Sequence, residues 1–205
     1  MNKKISKTAT ILAVCLSVIL LPLIAHAEGD LSIVQKFTSD TEIILYVDGA
    51  DGLSTDSMTY QIGNTACETV EATEVGKMDE EIYTLILWDN SLSVMKKHET
   101  MIKDILKDTV ANRAGNEKFA IATLGEEATY VTDYTDDYTV LKQTIDSIEG
   151  EDKDAYIVEN LYKSIDAFND MDNCGYKRII LISDGMDGME IGYSRAELDT
   201  LIAET

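Results

Sequence analysis

Three oxygen-bearing side chains, Asp89, Ser91 and Ser93, fall at alternate positions of the stretch Asp89-Asn90-Ser91-Leu92-Ser93. That spacing lets one carboxylate and two hydroxyls face a common point. Later in the chain, Ser183-Asp184-Gly185-Met186-Asp187 offers a second carboxylate, Asp184, to complete the face. Few direct ligands, carboxylate mixed with hydroxyl, suit a hard divalent ion such as Mg²⁺ that keeps several waters, with Mn²⁺ and Ca²⁺ beside it. One coordination position then stays open for an outside ligand. The plainer alternative is that Asp89, Ser91 and Ser93 turn the chain and cap the next helix, although a cap needs one oxygen and not three.

Other chemistries fit these residues less well. An aspartyl phosphatase of the haloacid-dehalogenase kind would use Asp89 as nucleophile and hold Mg²⁺ on Asp184 and Asp187. It also needs an acid two residues after the nucleophile, and Ser91 stands there. A serine hydrolase lacks its Gly-x-Ser-x-Gly turn, and His98 lies among Lys96, Lys97 and Glu99 as a solvated helix residue. There is no Gly-rich phosphate loop. Tyr130, Tyr134 and Tyr138 read as packing of an edge strand and loop rather than as a binding platform.

The elements that must position the two loops follow from the apolar pattern. Ile82–Trp88 is a nearly continuous apolar run, expected of a central parallel strand buried on both faces. A helix is predicted from about Val94 to Asn112, with Met101, Ile102, Ile105, Leu106 and Val110 on its core stripe. Phe119–Leu124 and Thr129–Val131 read as strands, the second antiparallel to the first across Gly125-Glu126-Glu127. Helices near Val140–Ile148 and Ile157–Phe168 lead to a second buried strand, Arg178–Ile182, and then to a helix over Ser194–Ala203. Alternating strands and helices give an α/β fold with an open, mostly parallel, doubly wound sheet, whose ligands sit beyond the carboxyl ends of the strands. Asp89 and Asp184 stand at two such ends. Residues 28–80 differ in texture. Their short alternating runs, Ile43-x-Leu45-x-Val47 among them, are separated by turn groups such as Asp48–Gly52 and Gly63-Asn64, and predict a small β-rich segment.

An Asp-x-Ser-x-Ser loop after one buried strand, with Ser183-Asp184-Gly185 after another, resembles the von Willebrand factor type A (vWA) domain. The resemblance covers residues 81–205. It implies a Rossmann-like sheet carrying a metal-ion-dependent adhesion site, whose ion takes a carboxylate from a protein or peptide partner. Two departures accompany it. The register that aligns Leu161 with the family's helix puts Ala155 where the family usually supplies a Thr hydroxyl, leaving Asp152, Asp154 or water to take that place and weakening the site. The family's sheet also continues beyond the helix at Ser194–Ala203, so an incomplete outer edge is expected.

Export is expected from residues 1–27. Lys3, Lys4 and Lys7 precede an apolar run from Ala9 to Ala25, which closes on Ala25-His26-Ala27, a signal-peptidase pattern. Cleavage there leaves 14 Lys and Arg against 38 Asp and Glu, a formal charge of −24. Such a surface repels nucleic acid and anionic lipid and suits cations and basic proteins. No later segment is long and apolar enough to cross a bilayer. Cys67 and Cys174 remain in the mature chain, an even pair able to form a disulfide in an oxidising compartment.

Overall fold

The computed structural model describes residues 8–13, 32–38, 43–49, 60–62, 65–67, 69–171, 175–188 and 192–204. They form two compact units, Met1–Glu80 and Glu81–Thr205. Cys174 lies outside the described residues, and with it the expected disulfide.

The first unit is built from strands, as its alternating texture predicts. Strands β1 (Thr8–Ala13), β2 (Ser32–Thr38), β3 (Ile43–Asp48) and β6 (Thr69–Glu74) form an antiparallel sheet in the order β2-β3-β1-β6. Strands β4 (Tyr60–Ile62) and β5 (Thr65–Cys67) pair separately. The alternation Ile43-x-Leu45-x-Val47 predicts one buried face, but Ile44 and Tyr46 are buried as well, so β3 is covered on both. Strand β1 falls inside residues 1–27, the expected signal peptide, and pairs with β3 and β6. Among the described residues no helix is long and apolar enough to cross a membrane.

The second unit is a four-stranded sheet in the order β10-β7-β8-β9, formed by β7 (Ile82–Trp88), β8 (Glu117–Thr123), β9 (Thr129–Thr135) and β10 (Tyr176–Ile182). β10, β7 and β8 run parallel, and β9 is antiparallel to β8. Helices α1 (Leu92–Ala111), α2 (Tyr138–Ser147), α3 (Ile157–Asn169) and α4 (Arg195–Glu204) alternate with the strands. The sheet is covered on both sides, which is why β7 is apolar at nearly every position. Ile86 and Trp88 pack with α1 and α2 through Ile102, Leu106, Val110, Leu141 and Ile145. Leu85 and Leu87 pack on the other face with Ile157 and Phe168 of α3. Asp137 starts α2 by accepting the backbone N–H groups of Thr139 and Val140 at 2.8 and 3.2 Å.

Three expectations are corrected. The buried stripe of α1 is Val94, Met95, Ile102, Leu106 and Val110, while Met101 and Ile105 stand on its outer side, 53% and 55% exposed. β10 is not buried like β7. It is one of the two edge strands of the sheet, and its residues are half-buried or exposed along its length. The three tyrosines also divide. Tyr134 packs edge-on against Tyr83 with ring centres 5.3 Å apart and lies 6.4 Å from Phe168, whereas Tyr130 and Tyr138 are exposed.

At the amino ends of the parallel strands a polar network crosses the sheet. Glu117 of β8 is almost wholly buried, and its carboxylate pairs with the Arg178 guanidinium of β10 and accepts the Thr84 hydroxyl of β7. Arg178 Nε donates to Thr84 Oγ1 at 2.8 Å, and the Ala114 N–H reaches Glu117 Oε2 at 3.3 Å.

Candidate metal centre

The opposite ends of β7 and β10 carry the two loops of interest. Asp89 continues the β7–β10 ladder, its N–H donating to the Ile182 carbonyl at 2.8 Å, while the Leu124 N–H takes the Trp88 carbonyl at 2.9 Å. Beyond Asp89 the chain turns into α1. The Ser91 N–H donates to Asp89 Oδ1 at 2.9 Å, a local turn of the kind Asp side chains favour. Ser91 is the residue at the N-cap position, yet its side chain makes no capping bond. Its hydroxyl instead lies 3.0 Å from the Ser93 hydroxyl, which donates to Asp184 Oδ2 at 2.9 Å. Capping therefore does not account for the hydroxyls.

The four sequence-predicted residues are thus brought together: Asp89, Ser91 and Ser93 from one loop and Asp184 from the other. A fifth, Ser183, joins them by donating its hydroxyl to Asp89 Oδ2 at 2.9 Å. The Asp184 loop is held by the Gly185 N–H on Ser183 Oγ at 3.0 Å and the Met186 N–H on Asp184 Oδ1 at 3.0 Å, with Gly185 at φ +80. The positive φ is a conformation that glycine adopts without strain. The Met186 N–H, the Ser93 hydroxyl and the positive charge of Lys97 hold the Asp184 carboxyl below its ordinary pKa.

Asp89 forms the floor, only 1% exposed, and Ser93 and Asp184 form the rim. A carboxylate so deeply placed ordinarily has a cationic partner. Among the described residues no Lys, Arg or His pairs with Asp89. Its partners are one backbone N–H and one hydroxyl. No group of three or more His, Cys, Asp or Glu side chains is placed to hold a metal among the described residues. An ion here relies on the serine hydroxyls beside the two carboxylates, an all-oxygen donor set that fits Mg²⁺.

The segment before α3 closes one side. Asn90, itself buried, accepts the Glu151 N–H on its carbonyl at 2.9 Å, and the Leu92 N–H donates to the Glu151 carbonyl at 2.9 Å. The Asn90 side-chain amide donates to the Glu149 carbonyl at 2.8 Å and to Glu151 Oε1 at 3.3 Å. Ala155 is 3% exposed and its methyl packs into the apolar cluster under α3, so this position adds no oxygen. Asp152 and Asp154 are exposed and are not hydrogen-bonded to the four site residues. Asp187 is committed elsewhere, accepting the N–H groups of Ile157 and Val158 at 2.7 and 3.4 Å at the start of α3. That use removes the second acid on which the phosphatase arrangement depended. His98 is exposed, as expected. Sequence reading missed the Asn90 tether and the Ser183 hydroxyl bond, since both link segments far apart in the chain.

A family model described as the von Willebrand factor type A domain matches residues 84–186. Among solved structures, proximal thread matrix protein 1 from the mussel byssus is similar at 18% identity, over 62% of this chain and 36% of its own, with a TM-score of 0.51. A von Willebrand factor type A protein from Catenulispora acidiphila is 19% identical over 60% of this chain and 30% of its own, at a TM-score of 0.48. The vWF domain of the type V pili tip protein Mfa5 from Porphyromonas gingivalis is 18% identical over 54% and 40%, at 0.43. The chain thus spans well under half the length of each of these structures. No curated protein matches it.

Proposed function

The chain belongs to the von Willebrand factor type A domain family, and from that premise we propose that it is an exported binding module. It holds a divalent ion of the Mg²⁺ class on Asp89, Ser91, Ser93 and Asp184 and engages an anionic oxygen of a protein partner, most simply an Asp or Glu side chain. One observation carries the reading. Asp89 is buried with no cationic partner among the described residues, in a cleft whose other oxygens, on Ser91, Ser93 and Asp184, converge from two strand ends. Two carboxylates nearly neutralise a divalent charge and leave it attractive to a further anionic oxygen. The bound ion supplies that electrostatic contact. The protein's own residues hold the two loops together, keep Asp184 ionised and turn Asp187 away to the helix cap.

The domain's strongly negative background opposes an acidic partner at long range. Within a Debye length of roughly 8 Å the direct contact dominates. The reading is for binding rather than catalysis, because no acid or base stands at the position a phosphatase or hydrolase needs. Ala155 contributes no ligand atom, so affinity for the ion is modest.

Calorimetric titration of the exported protein with Mg²⁺, Mn²⁺ and Ca²⁺ tests the ion. Partner capture with and without chelator, repeated on Asp89→Ala and Ser93→Ala, tests the contact. Asp89→Ala abolishes ion binding and Ser93→Ala weakens it less, since a lost carboxylate costs more than a lost hydroxyl. Partner capture indifferent to chelator and to Asp89→Ala would assign the domain a metal-free structural role.

A further inference from the structure

The two α1 side chains that helix periodicity assigns to the core, Met101 and Ile105, stand instead on the helix's outer face, each more than half exposed. Four residues apart, they are neighbours on that face. A groove of about 680 Å³ runs along it, from Lys96 and Lys97 past Met101 and Ile105 to Asp104 and Asp108. Glu99 also lines the groove but is engaged by Lys103 at 2.7 Å, and the remaining charges are ordered, with Lys96 and Lys97 toward the amino end and Asp104 and Asp108 toward the carboxyl end. None of these four makes an ion pair among the described residues.

Asp108 stands in the last turn of α1, where the helix dipole disfavours an acid. The first turn of α1 holds no acid and its last turn no base. Two bare apolar side chains and an acid unfavourable to the helix itself are local departures of the kind that mark a surface kept for a partner.

We propose that this face of α1 docks against the same face of a second copy of the chain, the two helices antiparallel across a two-fold axis. The symmetry carries the choice of occupant. An antiparallel copy brings its Asp104 and Asp108 to Lys96 and Lys97, and its Lys96 and Lys97 to Asp104 and Asp108. Met101 and Ile105 lie near the axis, where each meets its counterpart's pair. A parallel copy would set like charges against each other at both ends. The dipoles also align favourably in the antiparallel arrangement. Such an interface is self-complementary, as a two-fold contact must be. It extends over about 18 Å of helix at 1.5 Å per residue from Lys96 to Asp108, and the net charge of −21 on each chain works against it. Association is therefore weak. It uses none of the four oxygen-ligand residues; Lys97 also acts on Asp184, so the association is read in chelator, where ion binding plays no part.

Sedimentation velocity of the full chain in chelator, from about 5 to about 500 µM, covers the range in which a small interface registers. The expected result is a monomer–dimer equilibrium, lost in the double variant Met101→Gln with Ile105→Gln. A charge exchange then reads the orientation. Asp104→Lys with Asp108→Lys leaves the face no acid except Glu99, which Lys103 engages, Lys96→Asp with Lys97→Asp makes it all acidic, and each protein alone sediments as a monomer. Mixed in equal amounts they form a heterodimer, because the antiparallel arrangement sets basic against acidic at both ends. Asp108→Lys places a base in the last turn of α1, where the helix dipole favours it, so loss of the dimer is not loss of the fold. Emission of buried Trp88 confirms folding in all variants. A wild-type chain that stays monomeric throughout overturns the proposal. So does a dimer that survives the Gln variants, or an equal mixture that fails to associate.

Discussion

Removing one partner from the polar network across β8, β7 and β10 should cost very different amounts depending on which partner is taken. The Glu117 side chain is 4% exposed and that of Arg178 42%. Arg178→Met strands a carboxylate in the sheet with only the Thr84 hydroxyl and a long Ala114 N–H contact at 3.3 Å. Leaving a buried charge uncompensated costs about 3–5 kcal/mol. Glu117→Gln keeps the shape, and the guanidinium it leaves behind already reaches water. The loss is then the difference between a charge-assisted and a neutral hydrogen bond, about 1–2 kcal/mol. Arg178→Met combined with Glu117→Leu removes both charges and should recover most of the single-variant loss. The chain has one tryptophan, Trp88, fully buried in the sheet of the second unit. Its emission during urea unfolding reports on that unit alone, which matters because a chain of two units need not unfold in one step. With a slope of about 1.5 kcal/mol/M, Arg178→Met should lower the midpoint by roughly 2–3 M and Glu117→Gln by about 1 M. Equal shifts, or a larger shift for Glu117→Gln, would show that solvent access to Arg178 does not set the asymmetry.

Three further outcomes are expected. The Tyr83 hydroxyl donates to Glu81, which also pairs with Lys118, and that bond with burial pushes the Tyr83 pKa up to about 12. The contribution of the bond is fully present below the ordinary tyrosine value of 10 and is lost as pH rises toward about 12. Ultraviolet titration should show a late tyrosinate step that loses one group's absorbance in Tyr83→Phe, the remainder belonging to Tyr134, which burial also pushes up. Asn90→Ala removes both side-chain tethers to the Glu149–Glu151 segment and should cost about 2 kcal/mol at roughly 1 kcal/mol per bond. Asn90→Asp should cost at least as much, because a carboxylate then faces the Glu149 carbonyl, and thermal melts followed at Trp88 decide the order. Asp137→Ala removes the cap of α2 and should cost about 1 kcal/mol, measured by the same urea titration.

How much of this was legible in the sequence depended on how local each cause was. The apolar run of Ile82–Trp88 announced a doubly covered strand because both faces of β7 do meet helices. The Asp-x-Ser-x-Ser spacing announced a cluster of oxygens because five consecutive residues set it. The Ile179–Ile182 run is just as apolar as β7, yet β10 is outermost, and position within a sheet is a property of neighbours that no strand's own residues record. Met101 and Ile105 misled for a related reason. Periodicity shows that apolar side chains share a helix surface but not where the covered part of that surface ends. The Asn90 side chain meets the Glu149 carbonyl across 59 positions, and no short-range pattern predicts such a contact. Whether Ser91 caps α1 or turns to Ser93 was likewise undecided until the second loop was in place.

Ser183 reaching back to Asp89, and Ser93 reaching across to Asp184, join the ends of β7 and β10 in both directions. The consequence is mechanical. β7 enters the sheet at its amino end, and β10 leaves it at the carboxyl end alongside. Tension between the entry of one and the exit of the other slides the two parallel strands past each other in shear, so the seven-residue ladder from Ile82–Tyr176 to Trp88–Ile182 resists as a set and does not unzip bond by bond. The reciprocal hydroxyl–carboxylate stitches sit at the end where β10 is pulled away. If the proposed function holds, the surface that meets a ligand and the seam that resists when the ligand is pulled are the same few side chains.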